Sequence, residues 1–275
     1  MLQTDPQSLE KLAQSAAVVV RQAADFLRKE AASFSWDKVE YKGLNDLVSY
    51  VDRETEQLLV AGLAGIVPNA QFLTEEGTVA QAAESADNPY WIIDPLDGTT
   101  NFTHGLPPYA VSVGLYYHGE IVVGIVHEVT HDEQFVAWKG GGSWCNGRRL
   151  QLPQSGELGQ ALLATGFPYN IFSGLDAYLD ILAELMVKCH GLRRMGSASV
   201  DLAYVAAGRF QGFFEYNLKA WDVAAGILLV QEAGGYVSDF VGGNNYLFGK
   251  QIVAAGYVHP DLLAVVKSHW PKSGL

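Results

Sequence analysis

Asp94 and Asp97 lie three residues apart at the end of an apolar run, and this spacing can bring both carboxylates to one side of a tight turn. Pro95 favours an extended conformation at Asp94 and lacks an amide hydrogen, so the turn is rich in acceptors and short of donors. The carbonyl group of Leu96 is a third possible oxygen ligand. Hard oxygens suit Mg²⁺, which takes one or two carboxylates together with water and substrate phosphate. We therefore predict a magnesium site where Asp94 leaves its strand.

Gly98 and Thr99 follow directly and indicate a loop that leads into a helix. Glycine permits a close backbone approach, and exposed amides at a helix start favour an anion such as phosphate. Carboxylates for a cation beside amides for an anion are what metal-assisted phosphoryl chemistry needs. On these residues alone, an Asx turn followed by a helix cap is an equally good interpretation, because Asp, Gly and Thr all form turns.

The whole string at residues 91–102, W-I-I-D-P-L-D-G-T-T-N-F, is far more specific and resembles the signature of the inositol monophosphatase family. A second signature of that family, W-D-x-A-A-G followed by E-A-G-G, is matched at residues 221–226 and 232–235. The resemblance covers nearly the whole chain. It implies a layered αβαβα sugar-phosphatase fold, an α+β architecture with mixed and antiparallel sheets between helix layers, commonly assembled as a homodimer.

The resemblance also implies the ligands of Mg²⁺, the family's cofactor: Glu75, Asp94, the carbonyl of Leu96, Asp97 and Asp222. From the residues alone, Glu75 and Glu76 favour a solvated turn after a short strand. On the same basis, Asp222 is interpreted as an acid at a helix N-terminus that interacts with the helix dipole. The match to the family assigns the ligand role to Glu75 rather than Glu76.

The same resemblance implies catalytic roles for Glu75, Thr99 and Asp52. Glu75 and Thr99 would orient or deprotonate the attacking water, Asp52 would support the site through water, and the loop residue Lys42 would help to shape it. In two-metal sites one ion lowers the pKa of the attacking water and another neutralises the leaving oxygen. The backbone amides of Gly98 and Thr99 would bind the phosphate. Without the resemblance, Asp52 is equally a solvated helix residue.

Substrate contacts are implied at five positions that match residues at or near the inositol ring: Asp97, Gly196, Ser197, Ala198 and Glu215. The presence of Glu215 favours the interpretation that the reaction is hydrolysis of myo-inositol 1-phosphate to inositol and phosphate. The resemblance is to a lithium-sensitive superfamily of sugar phosphatases. Other members with this metal core act on fructose 1,6-bisphosphate, 3′-phosphoadenosine 5′-phosphate or histidinol phosphate. A non-catalytic regulatory binding protein is the alternative from another class. Loss of ligand carboxylates would indicate it, yet every expected carboxylate is present.

Composition narrows the partners. The 275 residues are 49% hydrophobic and 17% charged, with a net charge of −12, which disfavours broad electrostatic capture of nucleic acid. No signal peptide is visible, and no apolar run approaches the ~20 residues of a membrane span. The two cysteines, Cys145 and Cys189, are far apart and indicate free thiols in a reducing compartment. We expect a soluble cytoplasmic protein that binds a small phosphorylated polyol or sugar and no membrane.

Periodicity predicts the elements that position these residues. Asp5 and Pro6 are typical of a helix start, a second helix is predicted from about 46 to 66, and residues 91–93 end a buried strand. Successive hairpins over 109–138 predict an antiparallel sheet, and strands alternate with helices after residue 161. We expect two integrated halves: residues 1–150, α+β with most metal ligands, and residues 151–275, α/β with the substrate contacts and the last carboxylate.

Residues 127–131 match H-E-x-x-H, the zinc metalloprotease signature. That chemistry needs a helix, so that both histidines share one face. The segment instead follows a β-branched run and enters a turn-like Asp132-Glu133. We interpret the match as accidental.

Overall fold

The computed structural model describes residues 2–34, 39–43, 46–83, 88–168 and 174–271, of which 39–43 and 46–49 as backbone alone. The side chain of Lys42, to which the resemblance gives a role, thus lies outside the described residues. Within this part of the chain the helices are α1 (Pro6–Ala31), α2 (Tyr50–Ala64), α3 (Thr99–Thr103), α4 (Leu175–Lys188), α5 (Ala198–Ala206), α6 (Ala220–Glu232) and α7 (His259–His269).

The strands belong to three sheets. A two-stranded hairpin pairs β1 (Val39–Gly43) with β2 (Asp46–Ser49). A seven-stranded sheet has the order β3 (Gln71–Thr74), β4 (Tyr90–Asp97), β5 (Ala110–Tyr117), β6 (Glu120–Glu128), β7 (Glu133–Trp138), β8 (Gly142–Cys145) and β9 (Arg148–Leu150). A five-stranded sheet has the order β11 (Gly191–Arg193), β10 (Leu162–Thr165), β12 (Gly212–Tyr216), β14 (Gln251–Ala255) and β13 (Tyr236–Ser238).

These elements stack in five layers, which confirms the αβαβα architecture. Helices α1 and α2 cover one face of the large sheet, α5 and α6 fill the space between the two sheets, and α4 and α7 cover the far face of the smaller sheet. Both sheets are mixed: β3 runs parallel to β4 and β10 parallel to β11 and β12, whereas the other pairs are antiparallel. Because helices cover both sides of each of these two sheets, each sheet has two buried faces.

Strand β4 illustrates how the sequence specifies this burial. Alternate side chains of a strand point to opposite faces. Tyr90 and Ile92 contact the core between the sheets, whereas Trp91 and Ile93 contact the core beneath α1 and α2. A strand that is covered on both faces is apolar throughout rather than alternating, as this one is up to Asp94.

Two glycines let α6 approach the large sheet closely. Gly114 on β5 and Gly124 on β6 are direct register partners. A Cβ atom on Gly124 would lie 2.6 Å from the carbonyl oxygen of Ala225, and one on Gly114 would lie 3.0 Å from the Cβ of Ala224. The backbone of α6 thus packs directly on the sheet, and this contact fixes the distance between the helix and the sheet.

The start of α1 is confirmed. Asp5 is its N-cap and accepts a hydrogen bond from the amide of Ser8 at 3.1 Å, and Pro6 is the first helical residue. The predicted start of the second helix at residue 46 is wrong. Residues 46–49 pair with β1 instead, and α2 begins only at Tyr50, directly before its first buried residue, Val51. The short strands β8, β9, β11 and β13 were also not predicted.

The H-E-x-x-H match is accidental, as expected. His127 and Glu128 lie on strand β6, and the chain turns directly after them. The two histidines make different contacts: His127 Nε2 lies 3.1 Å from Asp132, and His131 Nδ1 lies 3.0 Å from Glu128.

In the part of the chain that the structure describes, no helix is long and apolar enough to cross a bilayer.

Candidate active site

The D-P-L-D segment is the bulged end of β4 rather than a turn after the strand, which corrects the expectation that Asp94 leaves it. Asp94 pairs with Ser112 and Asp97 with Ala110, and the register shifts between the two pairs. Pro95 cannot donate to the ladder, which is tolerated at a bulge. Asp94 Oδ1 accepts the Leu96 amide at 3.0 Å, so a carboxylate that is itself a predicted ligand closes the bulge.

Gly98 turns the chain from β4 into α3. Its φ is +96°, in the left-handed region, and a Cβ atom there would lie 3.0 Å from the carbonyl oxygen of Pro108. Helix α3 begins at Thr99, and the first amides of a helix have no partner within it. The Thr99 hydroxyl donates to the Leu96 carbonyl at 3.0 Å and lies 3.2 Å from Asp52 Oδ1. This hydroxyl therefore joins α2 to the bulge.

Glu75 reaches the site because β3 runs parallel to β4. Thr74 is the register partner of Ile93, and the Glu75 amide donates to the Ile93 carbonyl at 3.2 Å. Glu75 thus follows its strand at the level of Asp94, and the two side chains share a hydrogen bond. The predicted residue of the Glu75-Glu76 pair is the one that faces the bulge.

Asp222 comes from the first turn of α6. Its Oδ2 accepts the amide of Lys219 at 2.6 Å, which ties the side chain to the start of the helix. Burial and the charge of Asp97 raise the pKa of Asp222 to about 7, although the Lys219 amide acts in the opposite direction. The contact between α6 and the two glycines of the large sheet therefore brings Asp222 next to the bulge.

Asp94 lies at the centre of this cluster and is only 2% exposed. Burial, and then the charges of Glu75, Asp97 and Asp222, raise its pKa well above the ordinary value. Like charges in a buried site produce such shifts, and a nearby cation reverses them. We refer to Glu75, Asp94, Asp97 and Asp222 as the carboxylate cluster.

Asp97 connects the cluster to the start of α5. Its Oδ2 accepts hydrogen bonds from the Ser197 hydroxyl at 2.7 Å, the Ser199 amide at 2.7 Å and the Ser199 hydroxyl at 2.6 Å. Burial raises the pKa of Asp97 and these donors lower it, with a net rise. Of the predicted substrate contacts, Ser197 therefore touches Asp97, while Gly196 and Ala198 flank it along the chain.

Glu215, the residue that favours inositol phosphate, lies on β12 and faces the same cluster. Burial and the charges of Asp222 and Asp97 raise its pKa well above the ordinary value, and the Arg194 guanidinium opposes this. A Cβ atom on Gly166 would lie 2.0 Å from the Glu215 carboxylate, so this glycine leaves the space that the carboxylate occupies. Glu215 and the carboxylate cluster thus share one electrostatic environment.

The chemistry of these donors fits Mg²⁺. Four carboxylates and the carbonyl of Leu96 form a hard oxygen set. Among the described residues, no three His, Cys, Asp or Glu side chains are arranged to hold a metal as they lie. The hydrogen bonds account for this: Asp97 faces two serines, and Asp94 faces Glu75. Ligation therefore requires side-chain rotations, and a divalent cation would offset the mutual repulsion.

The raised pKa of Asp222 makes a pH-dependent prediction for the metal-free protein. Between its ordinary value of 3.8 and about 7, the folded state binds more protons than the unfolded chain. This carboxyl therefore stabilises the fold at low pH, and that contribution is lost as the pH rises through about 7. We expect Asp222→Asn, which is neutral throughout, to exceed the wild-type Tm in EDTA by a small margin at pH 5 and by a larger one at pH 8, because most of the loss falls between these two pH values. An equal Tm difference at both pH values would contradict the assignment.

Sequence reasoning missed several residues that hold the site. Ser199 donates twice to Asp97 although the two residues are 102 positions apart in the sequence, and no local pattern indicates this. Asn101 donates to the carbonyls of Pro108 and Met195 at 2.7 and 2.8 Å, joining α3 to the loop before α5. Glu56 binds the turn that carries Glu75. Its one available signal was its spacing of four residues from Asp52, which places both on one helix face.

Two sheets between three helix layers, with a carboxylate cluster where β4 meets α6, define the class of sugar-phosphatase folds. Comparison with known proteins identifies the group: a family model described as the inositol monophosphatase family matches residues 7–270. The chain belongs to the inositol monophosphatase family. Mg²⁺ is the metal cofactor of this family, in agreement with the donor set described above.

Individual relatives match this chain over most of their length. The Nus factor SuhB of Pseudomonas aeruginosa is 42% identical over 256 residues, which cover 92% of this chain and 94% of that protein. The inositol-1-monophosphatase of Mesorhizobium japonicum is 42% identical over 231 residues, or 84% and 86% of the two chains. The crystal structure of the extragenic suppressor protein SuhB from Bartonella henselae has a TM-score of 0.82 at 39% identity, covering 94% and 96%.

Proposed function

We propose that this protein hydrolyses a small phosphate monoester with the help of Mg²⁺, and that its substrate is myo-inositol 1-phosphate. The observation that carries the proposal is the convergence of Glu75, Asp94, Asp97 and Asp222 from three separate elements, with Asp94 buried at the centre. Four carboxylates gathered around the buried Asp94 side chain repel each other, and a bound divalent cation turns this repulsion into attraction.

The residues around the cluster have distinct roles in this reaction. When bound, Mg²⁺ supplies Lewis acid chemistry that lowers the pKa of water and offsets the charge on the leaving oxygen. Glu75 accepts the proton of the attacking water, and the Thr99 hydroxyl orients that water. Asp52 Oδ1 lies 3.2 Å from the Thr99 hydroxyl and so helps to keep it in place. The amides of Gly98 and Thr99 bind the phosphate oxygens, as amides at a helix start can.

Specificity follows from the acidic wall opposite the phosphate. Glu215 and Asp97 present carboxylate acceptors, and a polyol presents hydroxyl donors. Ser197, Gly196 and Ala198 complete this side of the site. This arrangement favours an inositol ring over the second phosphate of a bisphosphate, because a further anion would meet like charge.

Phosphate release from four esters tests the proposal. We expect release from myo-inositol 1-phosphate with Mg²⁺ and none with EDTA, and slower release from fructose 1,6-bisphosphate, 3′-phosphoadenosine 5′-phosphate and histidinol phosphate. Faster release from another ester would move the specificity but keep the chemistry. Release that persists undiminished in EDTA, or no release from any ester, would contradict the proposal.

The name of one close relative favours a second candidate function, that of a Nus factor, which corresponds to the regulatory alternative. This name belongs to the Pseudomonas aeruginosa protein that is 42% identical to this chain. Complementation of a Pseudomonas aeruginosa strain that lacks its SuhB tests the candidate directly. Rescue by both the wild type and Asp94→Asn would support a role independent of catalysis, and failure of both would exclude it in that host.

We also propose that the chain forms a homodimer through α4. This helix exposes Leu175, Leu179, Met186 and Val187, the last two 72% and 85% exposed. An apolar stripe of this kind commonly marks an association surface. Sedimentation equilibrium should give about twice the chain mass of 29.8 kDa, and a mass equal to that of one chain would contradict the dimer.

A further inference from the structure

One face of α2 points two carboxylates into the protein beside the active site. Asp52 and Glu56 are one helical turn apart, and their exposed fractions are 1% and 0%. Asp52 contacts Thr99. Glu56 contacts the segment that carries Glu75 and is not among the residues to which the proposed function gives a role. A fully buried carboxylate is costly unless hydrogen bonds compensate for its desolvation.

All the hydrogen bonds that the structure gives Glu56 come from the segment that carries Glu75. Oε1 accepts from the Thr74 hydroxyl at 2.9 Å and from the amide and hydroxyl of Thr78, both at 2.7 Å. Oε2 accepts the amide of Glu76 at 2.7 Å. Hydrogen bonds to an ionised acceptor are shorter and stronger than neutral ones. Glu56 thus holds residues 74–78 at three points.

These contacts flank Glu75 on both sides. Its predecessor Thr74 and its successor Glu76 each donate to Glu56, while the amide of Glu75 itself donates to β4. The backbone of Glu75 is therefore fixed between α2 and β4. With the backbone fixed, its side chain faces Asp94, to which it is hydrogen-bonded.

We propose that Glu56 is a positioning residue for the metal site: it fixes the turn at residues 74–78 so that Glu75 meets the cation together with Asp94. The proposal rests on the proposed function for its kinetic readout, and on Mg²⁺ binding alone for its thermodynamic one. Partners that orient metal ligands typically contribute 10- to 100-fold to metal affinity.

The test is Glu56→Gln, which keeps the size of the side chain. Its amide oxygen can still accept from Thr74 and Thr78, but its NH₂ group then faces the amide of Glu76, donor against donor. We expect Mg²⁺ affinity, measured by calorimetry with the metal alone, to fall about 10-fold. At saturating Mg²⁺, kcat should fall by a similar factor, while KM for the ester changes less than about 2-fold, because the substrate contacts are untouched.

Glu128→Gln is the matched control. Glu128 is also 0% exposed and also closes a turn, but the amides that it accepts, at 3.0 and 2.7 Å, are those of Thr130 and His131 rather than of the segment that carries Glu75. We expect this variant to lose stability and to bind Mg²⁺ as the wild type does. Thr78→Val is the second test variant. It removes the hydroxyl that donates to Glu56 and does not place two donors against each other. It should therefore show a smaller loss of Mg²⁺ affinity.

The outcomes separate this proposal from the proposed function. Unchanged Mg²⁺ affinity in Glu56→Gln overturns it, as does an equal loss of affinity in Glu128→Gln. If Glu56→Gln does not fold, Thr78→Val decides in the same way. If the wild type binds Mg²⁺ but releases no phosphate from any ester, the proposed function fails, and calorimetry still decides the role of Glu56.

Discussion

Asp94→Asn is expected to abolish phosphate release, with kcat lowered by at least about 10³-fold. The side chain keeps its size, and its amide oxygen can still accept the Leu96 amide that closes the bulge. The negative charge at the centre of the carboxylate cluster is lost, and with it the strongest attraction for a cation. The measurement is initial-rate phosphate release from myo-inositol 1-phosphate over a range of Mg²⁺ concentrations.

The same variant should not be less stable than the wild type in EDTA. Burial, and then repulsion from Glu75, Asp97 and Asp222, raises the pKa of Asp94, and a neutral amide avoids both the desolvation of a charge and that repulsion. Added Mg²⁺ should raise the Tm of the wild type and leave that of the variant unchanged, because only a ligand that binds the native state stabilises it. Near-wild-type turnover in a folded variant would falsify the assignment of Asp94.

A matched control is available at Asp239, which is 8% exposed and accepts the amides of Val241 and Gly243 at 3.0 and 2.7 Å. Asp239→Asn also replaces a largely buried, hydrogen-bonded carboxylate by an amide, in a loop that follows β13. We expect it to lower the Tm and to preserve kcat. The contrast separates loss of a ligand from loss of a buried charge.

Gly124→Ala is expected to destabilise the fold and to weaken the metal site together. The new methyl group would lie 2.6 Å from the carbonyl oxygen and 3.1 Å from the Cα atom of Ala225, so that α6 must move away from the sheet. Overpacking of this kind typically costs about 1–3 kcal/mol. The movement also displaces Asp222 from Asp94 and Asp97, and we therefore expect weaker Mg²⁺ binding together with a lower Tm.

Two further glycine variants calibrate this result. Gly114→Ala, whose methyl group would lie 3.0 Å from the Cβ of Ala224, should have the same effects to a smaller extent. Gly159→Ala, where the nearest heavy atom would be 3.8 Å away, should leave both the Tm and the Mg²⁺ affinity unchanged. Wild-type Tm and Mg²⁺ affinity in Gly124→Ala would show that the close approach of α6 does not position Asp222.

Helical periodicity predicts α1, and the resemblance to the inositol monophosphatase family implies the layered fold. The spacing of Asp94 and Asp97 indicates a metal site by itself, whereas Glu75 and Asp222 were singled out only by the resemblance to the family. The pairing of β1 with β2 was not predicted. Asp46 has the chemistry of a helix cap, and the pairing of residues 46–49 with the preceding strand overrides that local preference.

The supporting contacts could not be predicted for a different reason. Glu56 contacts residues about 20 positions away, and Ser199 contacts Asp97 across 102 positions, so that no local pattern reports either pair. The glycines of β5 and β6 carry a weak signal, because glycine within a strand often marks a close backbone approach. Only the structure shows that the approaching backbone is that of α6, which carries Asp222.

The close packing of α6 on the large sheet has a consequence for the protein as it is synthesised. Asp222 follows Asp94 by 128 residues, the difference between 222 and 94. At about 5–20 residues per second, roughly 6–26 s of translation separate the two carboxylates. During that interval the emerging chain contains Glu75, Asp94 and Asp97 without the helix that completes the cluster. With the proposed ligand set, full capture of the cation must wait for Asp222 and is a late event in biogenesis.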